Sequence, residues 1–285
     1  MHLEIFHIIL HVILQGLIYS FVVMGVYLSS RIIRFDDLTT EGSFGFGGAI
    51  TALLIVSGLS SWLTLPFAMI GGALAGIVTG LLHTKMKMNN LISGLVVTTA
   101  LFSVCLKLAK SNLPLPDSSS IFVSITSYEI PLLSIAILGT LVGIAYLGLR
   151  VLLLSEIGLI LKTVGSNPQM AISIGKNVDG YKILGLAIAN SLTALAGCLF
   201  VQWNGFFSIT GNVGTLVIGL AGLILAEMIK PTFGLGLILG AILYQAIFAI
   251  TIEFELEPMW NNLIKAALIV ILIQIKPNKQ LLIQR

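Results

Sequence analysis

Long apolar runs alternate along this chain with short polar connections. The runs cover roughly 9–29, 43–60, 62–82, 91–109, 130–152, 181–202, 213–229, 232–252 and 259–275. About twenty apolar residues are needed for a helix to cross a bilayer. Within each run the apolar residues are continuous rather than alternating, which favours helices over the strands of a closed barrel. The pattern therefore predicts an all-α, polytopic membrane helix bundle of about nine spans, folded as a single domain over 1–285. The run at 43–60 is the shortest on apolar content because it is rich in glycine. The first run, from about Ile8 to Ser29, exceeds the length of a signal-peptide core and has no basic segment before it, so it is expected to remain as a span.

Composition fits this reading. Hydrophobic residues make up 57% of the chain and charged residues 9%, against about 25% charged in soluble domains. The net charge of +3 is spread along the sequence and does not suggest a nucleic-acid surface. Cys105 and Cys198 lie in apolar runs and are expected to be buried thiols. His2, His7, His11 and His83 do not make a metal constellation.

Basic residues are retained on the cytoplasmic side of membrane proteins. With the C-terminus inside, nine spans leave the N-terminus outside, and Arg31, Arg34, Lys85, Lys87, Arg150, Lys162, Lys176, Lys182, Lys230, Lys276, Lys279 and Arg285 fall inside. These are twelve of the fifteen basic residues. Glu253, Glu255 and Glu257 then lie outside, before the last span. Small residues at four-residue spacing, such as Gly72, Gly76 and Gly80, or Ser43 and Gly47, predict closely packed helices. The outer loop 110–129 reads as irregular.

The stretch 155–180, SEIGLILKTVGSNPQMAISIGKNVDG, interrupts the apolar pattern. Glu156 to Val164 suits a short helix that Gly165 would break. Ser166 or Asn167 suits the cap of a second helix with Pro168 in its first turn, and Ser166 with Gln169 fits a capping box. That helix should run to about Ile174, with Gly175 as its stop. The outward surface would carry Lys162, Asn167, Gln169 and Lys176, and Met170 and Ile174 could bury themselves in a partner. A second polar stretch, Asp36 to Ser43, opens the second span. Thr39 or Thr40 suits its cap, and Glu41 suits its positive end. If recessed, Asp37, Thr39, Thr40, Glu41 and Ser43, with Asn190 on a later span, become candidates for the wall of a pathway. Glu227 is expected to pair with Lys230 on its own helix, and Lys265 to reach outward or pair with Glu257.

The segment GLILKTVGSNPQMAISIGKNVDGYKILGLAIANSLTALAGCLFVQWNGF (158–206) resembles the cytoplasmic loop and following span of permease subunits of bacterial ABC importers, of the branched-chain amino acid and ribose type. The matching positions are Lys162, Gly165, Asn167, Pro168, Ala171, Gly175, Ala196 and Gly197. FDDLTTEGSFGFGGAI (35–50) is similar to the segment before the second core span of these permeases. With GTLVIGLAGLILAE (214–227), it looks closest to the subgroup that works with tryptophan/tyrosine-type binding lipoproteins. Two departures stand out: Lys162 occupies a position where the family often has arginine, and EPMWNNLIK (257–265) differs from the family's acidic-then-lysine pattern.

The resemblance implies a multi-pass subunit of the bacterial inner membrane that forms the solute pathway of an importer, for an amino acid or similar small solute. It implies a second permease chain, taken as an identical copy, and two cytoplasmic ABC ATPases. A periplasmic or lipid-anchored binding protein would deliver the solute. The ATPases would grip the cytoplasmic loop through Lys162, Gly165, Ser166, Asn167, Pro168, Gln169, Met170, Ala171 and Gly175. The chain itself would bind no cofactor and catalyse no reaction, with ATP and Mg on the partner ATPase. In keeping with this, it has no phosphate-loop motif of its own. The alternative is a secondary transporter or channel, whose ion relay would have to use Glu227 and Lys265. A membrane-embedded enzyme would need a reactive cluster, and none is visible.

Overall fold

A computed structural model describes residues 2–116, 120–122, 131–229, 234–252 and 260–275. Helices dominate. α1 (His2–Val26) runs directly into a π-helical segment (Tyr27–Ile33) and is followed by α2 (Thr39–Val56), α3 (Ser61–Lys85) and α4 (Asn90–Ala109). After the short strand β1 (Asn112–Pro114) come α5 (Pro131–Leu154), α6 (Glu156–Ser166), α7 (Pro168–Ser173) and α8 (Val178–Asn204). Then follow β2 (Phe206–Ser208), a 3₁₀ turn at Thr210–Asn212, α9 (Thr215–Ile229), α10 (Gly236–Ile252) and α11 (Asn261–Ile275).

Among the described residues, seven helical segments are long and apolar enough to cross a membrane: Ile8–Ile33, Thr39–Val56, Ser61–Lys85, Asn90–Ala109, Leu133–Leu154, Val178–Asn204 and Thr210–Ile229. Two more apolar helices, Gly236–Ala249 and Leu263–Gln274, are shorter. The all-α bundle expected from the sequence is therefore present.

The small residues serve the packing predicted for them. A side-chain carbon on Gly72 would lie 2.3 Å from the Asn190 carbonyl oxygen, and one on Gly76 2.3 Å from that of Leu186, so α3 and α8 touch backbone to backbone. α2 meets α8 in the same way where Gly47 faces Ala194 and Gly197 faces the Phe44 carbonyl. Lipid offers no hydrophobic drive for helices to associate, so this contact depends on dispersion at close range. The broad core around α1 then fills with large apolar side chains, among them Leu14, Phe21, Met24 and Tyr244, all fully buried.

Two features depart from the sequence reading. The loop expected to be irregular contains β1, which pairs antiparallel with β2 in the register Asn112↔Ser208, Leu113↔Phe207 and Pro114↔Phe206. Three residues are too few for an alternating pattern to stand out, and the partner lies almost a hundred positions away. The rest of that loop, 117–119 and 123–129, lies outside the described residues. The second departure is at α2, which begins at Thr39 rather than 43. Leu38 packs on Gly94, and its carbonyl accepts a bond from Thr98 Oγ1 at 2.8 Å. Since α4 starts at Asn90, the 34–38 turn sits about one helical turn inside the end of that helix.

The chain reverses here because of local chemistry. Ser29 and Ser30 return their hydroxyls to the Val26 carbonyl, at 3.2 and 2.6 Å, where the helix widens into the π segment. Arg34, at φ 55°, then ends it in the left-handed region, and the Phe35 N–H closes on Ser29 at 2.9 Å.

Candidate functional site

The 155–180 stretch forms a helical knuckle between α5 and α8, with three successive side-chain caps. Ser155 Oγ accepts from the Gly158 N–H at 3.4 Å to start α6, Asn167 Oδ1 from the Met170 N–H at 3.1 Å to start α7, and Asn177 Oδ1 from the Gly180 N–H at 3.2 Å to start α8. Pro168 occupies the first turn of α7, where its missing N–H has no intrahelical partner to lose. Gly175, at φ +74°, ends the knuckle, and the Lys176 N–H closes on the Ala171 carbonyl at 3.0 Å.

Two details correct the sequence reading. Gly165 does not break α6, which continues to Ser166; the break is Asn167. Nor do Ser166 and Gln169 form a capping box: Ser166 Oγ bonds back to the Thr163 carbonyl and Asn167 alone caps α7. Gly165 instead permits contact between helices. A side-chain carbon there would lie 2.0 Å from the Ile32 carbonyl oxygen, so α6 rests directly on the π segment that continues α1. The knuckle is thereby joined to a spanning helix remote in sequence.

The outward face also divides. Lys162 is exposed, but its ammonium donates to the Leu153 carbonyl at 3.0 Å and caps the end of α5. Lys176 pairs with Glu156 at 3.0 Å, which holds its ammonium above the usual lysine range. Ala171 is fully buried against Ile160 and Val164. Exposed on α7 and its cap are Gln169 and the large apolar side chains Met170 (57%), Ile172 (63%) and Ile174 (54%). Exposed apolar side chains gathered on one short, polar-rimmed element suit contact with a protein or with a membrane surface.

The cap is weak enough to test. Asn167→Ala should cost about 1 kcal/mol, concentrated in the six residues of α7. Hydrogen exchange is expected to speed up across 168–174 while the backbone of α8 keeps its protection.

At the buried turn before α2, five of the six pathway candidates bond to one another or to the turn. Asp37 Oδ1 accepts from the Thr39 N–H, the first of α2, at 2.8 Å, while Leu38 stands at the N-cap position and makes no side-chain cap bond. Asp37 Oδ2 accepts from Asn190 Nδ2 at 2.7 Å, and Ser43 Oγ donates to Asn190 Oδ1 at 2.6 Å. Thr39 Oγ1 and Thr79 Oγ1 are 2.7 Å apart, and Thr40 Oγ1 donates to the Asp37 carbonyl at 3.2 Å. Asp37, Thr39, Thr40, Ser43 and Asn190 are all buried. Their arrangement is a polar lock joining α2, α3 and α8. Glu41 differs: it lines a small cavity of about 60 Å³ with Gly42, Thr98, Phe102 and Asn212.

The remaining intramembrane charges find partners that the sequence did not suggest. Glu227 is clamped by Arg31 of the π segment, which donates through Nε and, at 3.1 Å, through Nη2. The expected partner Lys230 lies outside the described residues. A link across 196 positions leaves no trace in local spacing. Lys265 sits with Nζ 5.7 Å from the centre of the Phe248 ring. Its expected partner Glu257 also lies outside the described residues. Among the described residues, no group of three or more histidine, cysteine or carboxylate side chains is placed to hold a metal.

Comparison with known proteins adds the family. The model of the branched-chain amino acid transport system/permease component family matches residues 8–273. A tyrosine transport system permease protein of Clostridioides difficile is 37% identical, over 83% of this chain and 80% of its own length. A nucleoside ABC transporter permease protein of Lactococcus lactis is 27% identical, over 67% of this chain and 61% of its own. A ribose import permease protein of Haemophilus influenzae is also 27% identical, over 57% of this chain and 51% of its own. No solved structure matches at a significant level. A bundle of membrane-crossing helices, a family model matched across nearly its whole length and a relative at this identity lead to one conclusion: the chain belongs to the branched-chain amino acid transport system/permease component family, as a multi-pass permease subunit of the ABC transporter type in the bacterial inner membrane.

Proposed function

We propose that this subunit lines the solute pathway of an ATP-driven importer. In this reading it has nine spans, an outer N-terminus and a cytoplasmic C-terminus, and α6–α7 is the handle by which a separate ABC ATPase moves the helices. ATP and Mg²⁺ belong to that ATPase. An outer binding protein delivers the solute, and a second copy of the chain completes the pathway. The solute is an amino acid or a similar small molecule, a reading supported by the relative named for tyrosine transport.

The observation that carries the proposal is the build of the knuckle. Its tip presents Met170, Ile172 and Ile174, while its base bears on the π segment at Gly165. A push on the tip therefore has a rigid route to α1. The coupling set is Gly165, Ser166, Asn167, Pro168, Gln169, Met170, Ala171 and Gly175, with Lys162 holding α6 to the end of α5. Charge supports the orientation: Arg31, Arg34, Lys85, Lys87, Arg150, Lys162, Lys176 and Lys182 belong to the knuckle end of their helices, and Lys107 and Lys110 to the opposite end. A relay-driven transporter would need a carboxylate such as Glu227 to take up and release protons, and that carboxylate is held by a guanidinium.

The test is a cysteine at Ser166. A membrane-impermeant maleimide should leave Ser166→Cys unmodified in intact cells and label it in inside-out vesicles, and affinity purification should bring down a P-loop ATPase. Labelling from outside intact cells would invert the topology and remove the handle from the cytoplasm.

A further inference from the structure

Three consecutive residues of the π segment each grip a different helix. The Ile32 carbonyl lies against Gly165 of α6. The Ile33 side chain wedges against Gly185 of α8, where an added side-chain carbon would lie 2.2 Å from Ile33 Cδ1. Arg31 reaches Glu227 of α9, donating from Nε to Oε1 and from Nη2 to Oε2, the latter at 3.1 Å. Neighbouring side chains on a helix point in different directions, so one short element can hold three partners.

The three grips differ in what their release costs. Ile32 and Ile33 are buried, and pulling either away would open a void in close-packed surroundings. Arg31 and Glu227 stand in the last turns of their helices, with side chains 44% and 18% exposed. Water at that end can take up both charges when they part, so this grip is the cheapest to open. While closed, its paired N–H···O bonds fix the geometry of the contact. The element that carries Arg31 is also suited to moving, since π-helical turns are rare and gather at functional sites. Under the importer reading the knuckle drives the π segment through Ile32, and Arg31 is the adjoining residue.

We infer that Arg31 and Glu227 are a positioning pair for the transport cycle: a latch at the knuckle end that holds the π segment to α9 at rest and parts when the knuckle moves. The closed pair biases the knuckle toward its resting position. Removing the pair removes that bias, and the knuckle then moves more readily without a signal from outside. The inference rests on the importer reading and assigns it the residues that restrain idle cycling.

The test uses the complete complex in proteoliposomes. ATP hydrolysis is measured with and without the binding protein, which is purified with the ligand it carries from the cell. Arg31→Gln and Glu227→Gln are each expected to raise the unstimulated rate about fivefold, the scale of one exposed ion pair. The stimulation given by the binding protein should shrink accordingly. Exchanging the charges, Arg31→Glu with Glu227→Arg, should return the unstimulated rate to within about twofold of the parent. A purely structural pair would lower the melting temperature and leave the ratio of stimulated to unstimulated rates as it is. Parental unstimulated rates in both glutamine variants would overturn the latch, as would a charge exchange no better than the sum of its single changes. A parent complex that brings down no ATPase would sink the importer reading and the latch with it. A parent stimulated by its binding protein, beside variants that match it, would sink the latch alone.

Discussion

Gly165→Val is expected to leave the subunit in the membrane and abolish coupled uptake. The added carbon would need to occupy space 2.0 Å from the Ile32 carbonyl oxygen and 3.0 Å from two backbone carbons. These are main-chain atoms and cannot rotate away, so α6 must lift off the π segment. Overpacking of this kind costs about 1–3 kcal/mol. Under the proposed mechanism the functional loss exceeds the stability loss, because the displaced contact is the one that passes motion from the knuckle to α1. Gly180→Ala is the matched control: it lies in the same region, and its added methyl would meet only the Asn177 side chain at 3.5 Å or beyond. The expected result is a modest fall in melting temperature for Gly165→Val with uptake near background, and parental values for Gly180→Ala. Parental uptake in Gly165→Val would show that this contact transmits nothing.

The second large effect is expected at Asn190. Replacing it with leucine, of similar size, strips one donor from Asp37 and one acceptor from Ser43 while both stay buried. Two estimates compete. Interhelical hydrogen bonds in a bilayer average only about 0.6 kcal/mol, because the unfolded chain in lipid also finds partners. Leaving a buried donor or acceptor without its partner costs about 1–3 kcal/mol. Asp37 and Ser43 both stay buried and each loses a partner, which makes the second the governing case, and Asn190→Leu should destabilise by about 1–3 kcal/mol. A double-mutant cycle checks the reason as well as the size. Asp37→Leu removes the group that Asn190 serves, so the double variant should be less damaged than the sum of the single ones. Additive losses would mean that the two side chains act independently and that the lock is no unit.

How much was legible in the sequence depended on the range over which each signal acts. Helix caps act within three or four residues, and there the reading came close: the knuckle's two helices, Pro168 in a first turn and Gly175 at the stop were all readable from SNPQMAISIG. Even so, the choice between neighbouring caps went to geometry. Asn167 serves and Ser166 does not, and at α2 the first N–H goes to an aspartate ahead of the helix while the cap position is Leu38. Gly165 looks like a local breaker in sequence because a glycine's partner across a helix interface leaves no mark beside it.

Sequence alone determined the helical, membrane-spanning class, since continuous apolar runs can satisfy their backbones in lipid only as helices. It also determined where the polar interruption falls and which small residues allow helices to touch. Tertiary structure decided who meets whom: Arg31 with Glu227, Asp37 with Asn190, α6 with the π segment, and β1 with β2. The physical reason is one of range. Hydrophobicity and capping are properties of a residue and its near neighbours along the chain, whereas a pairing across tens to hundreds of residues exists only once the helices have packed.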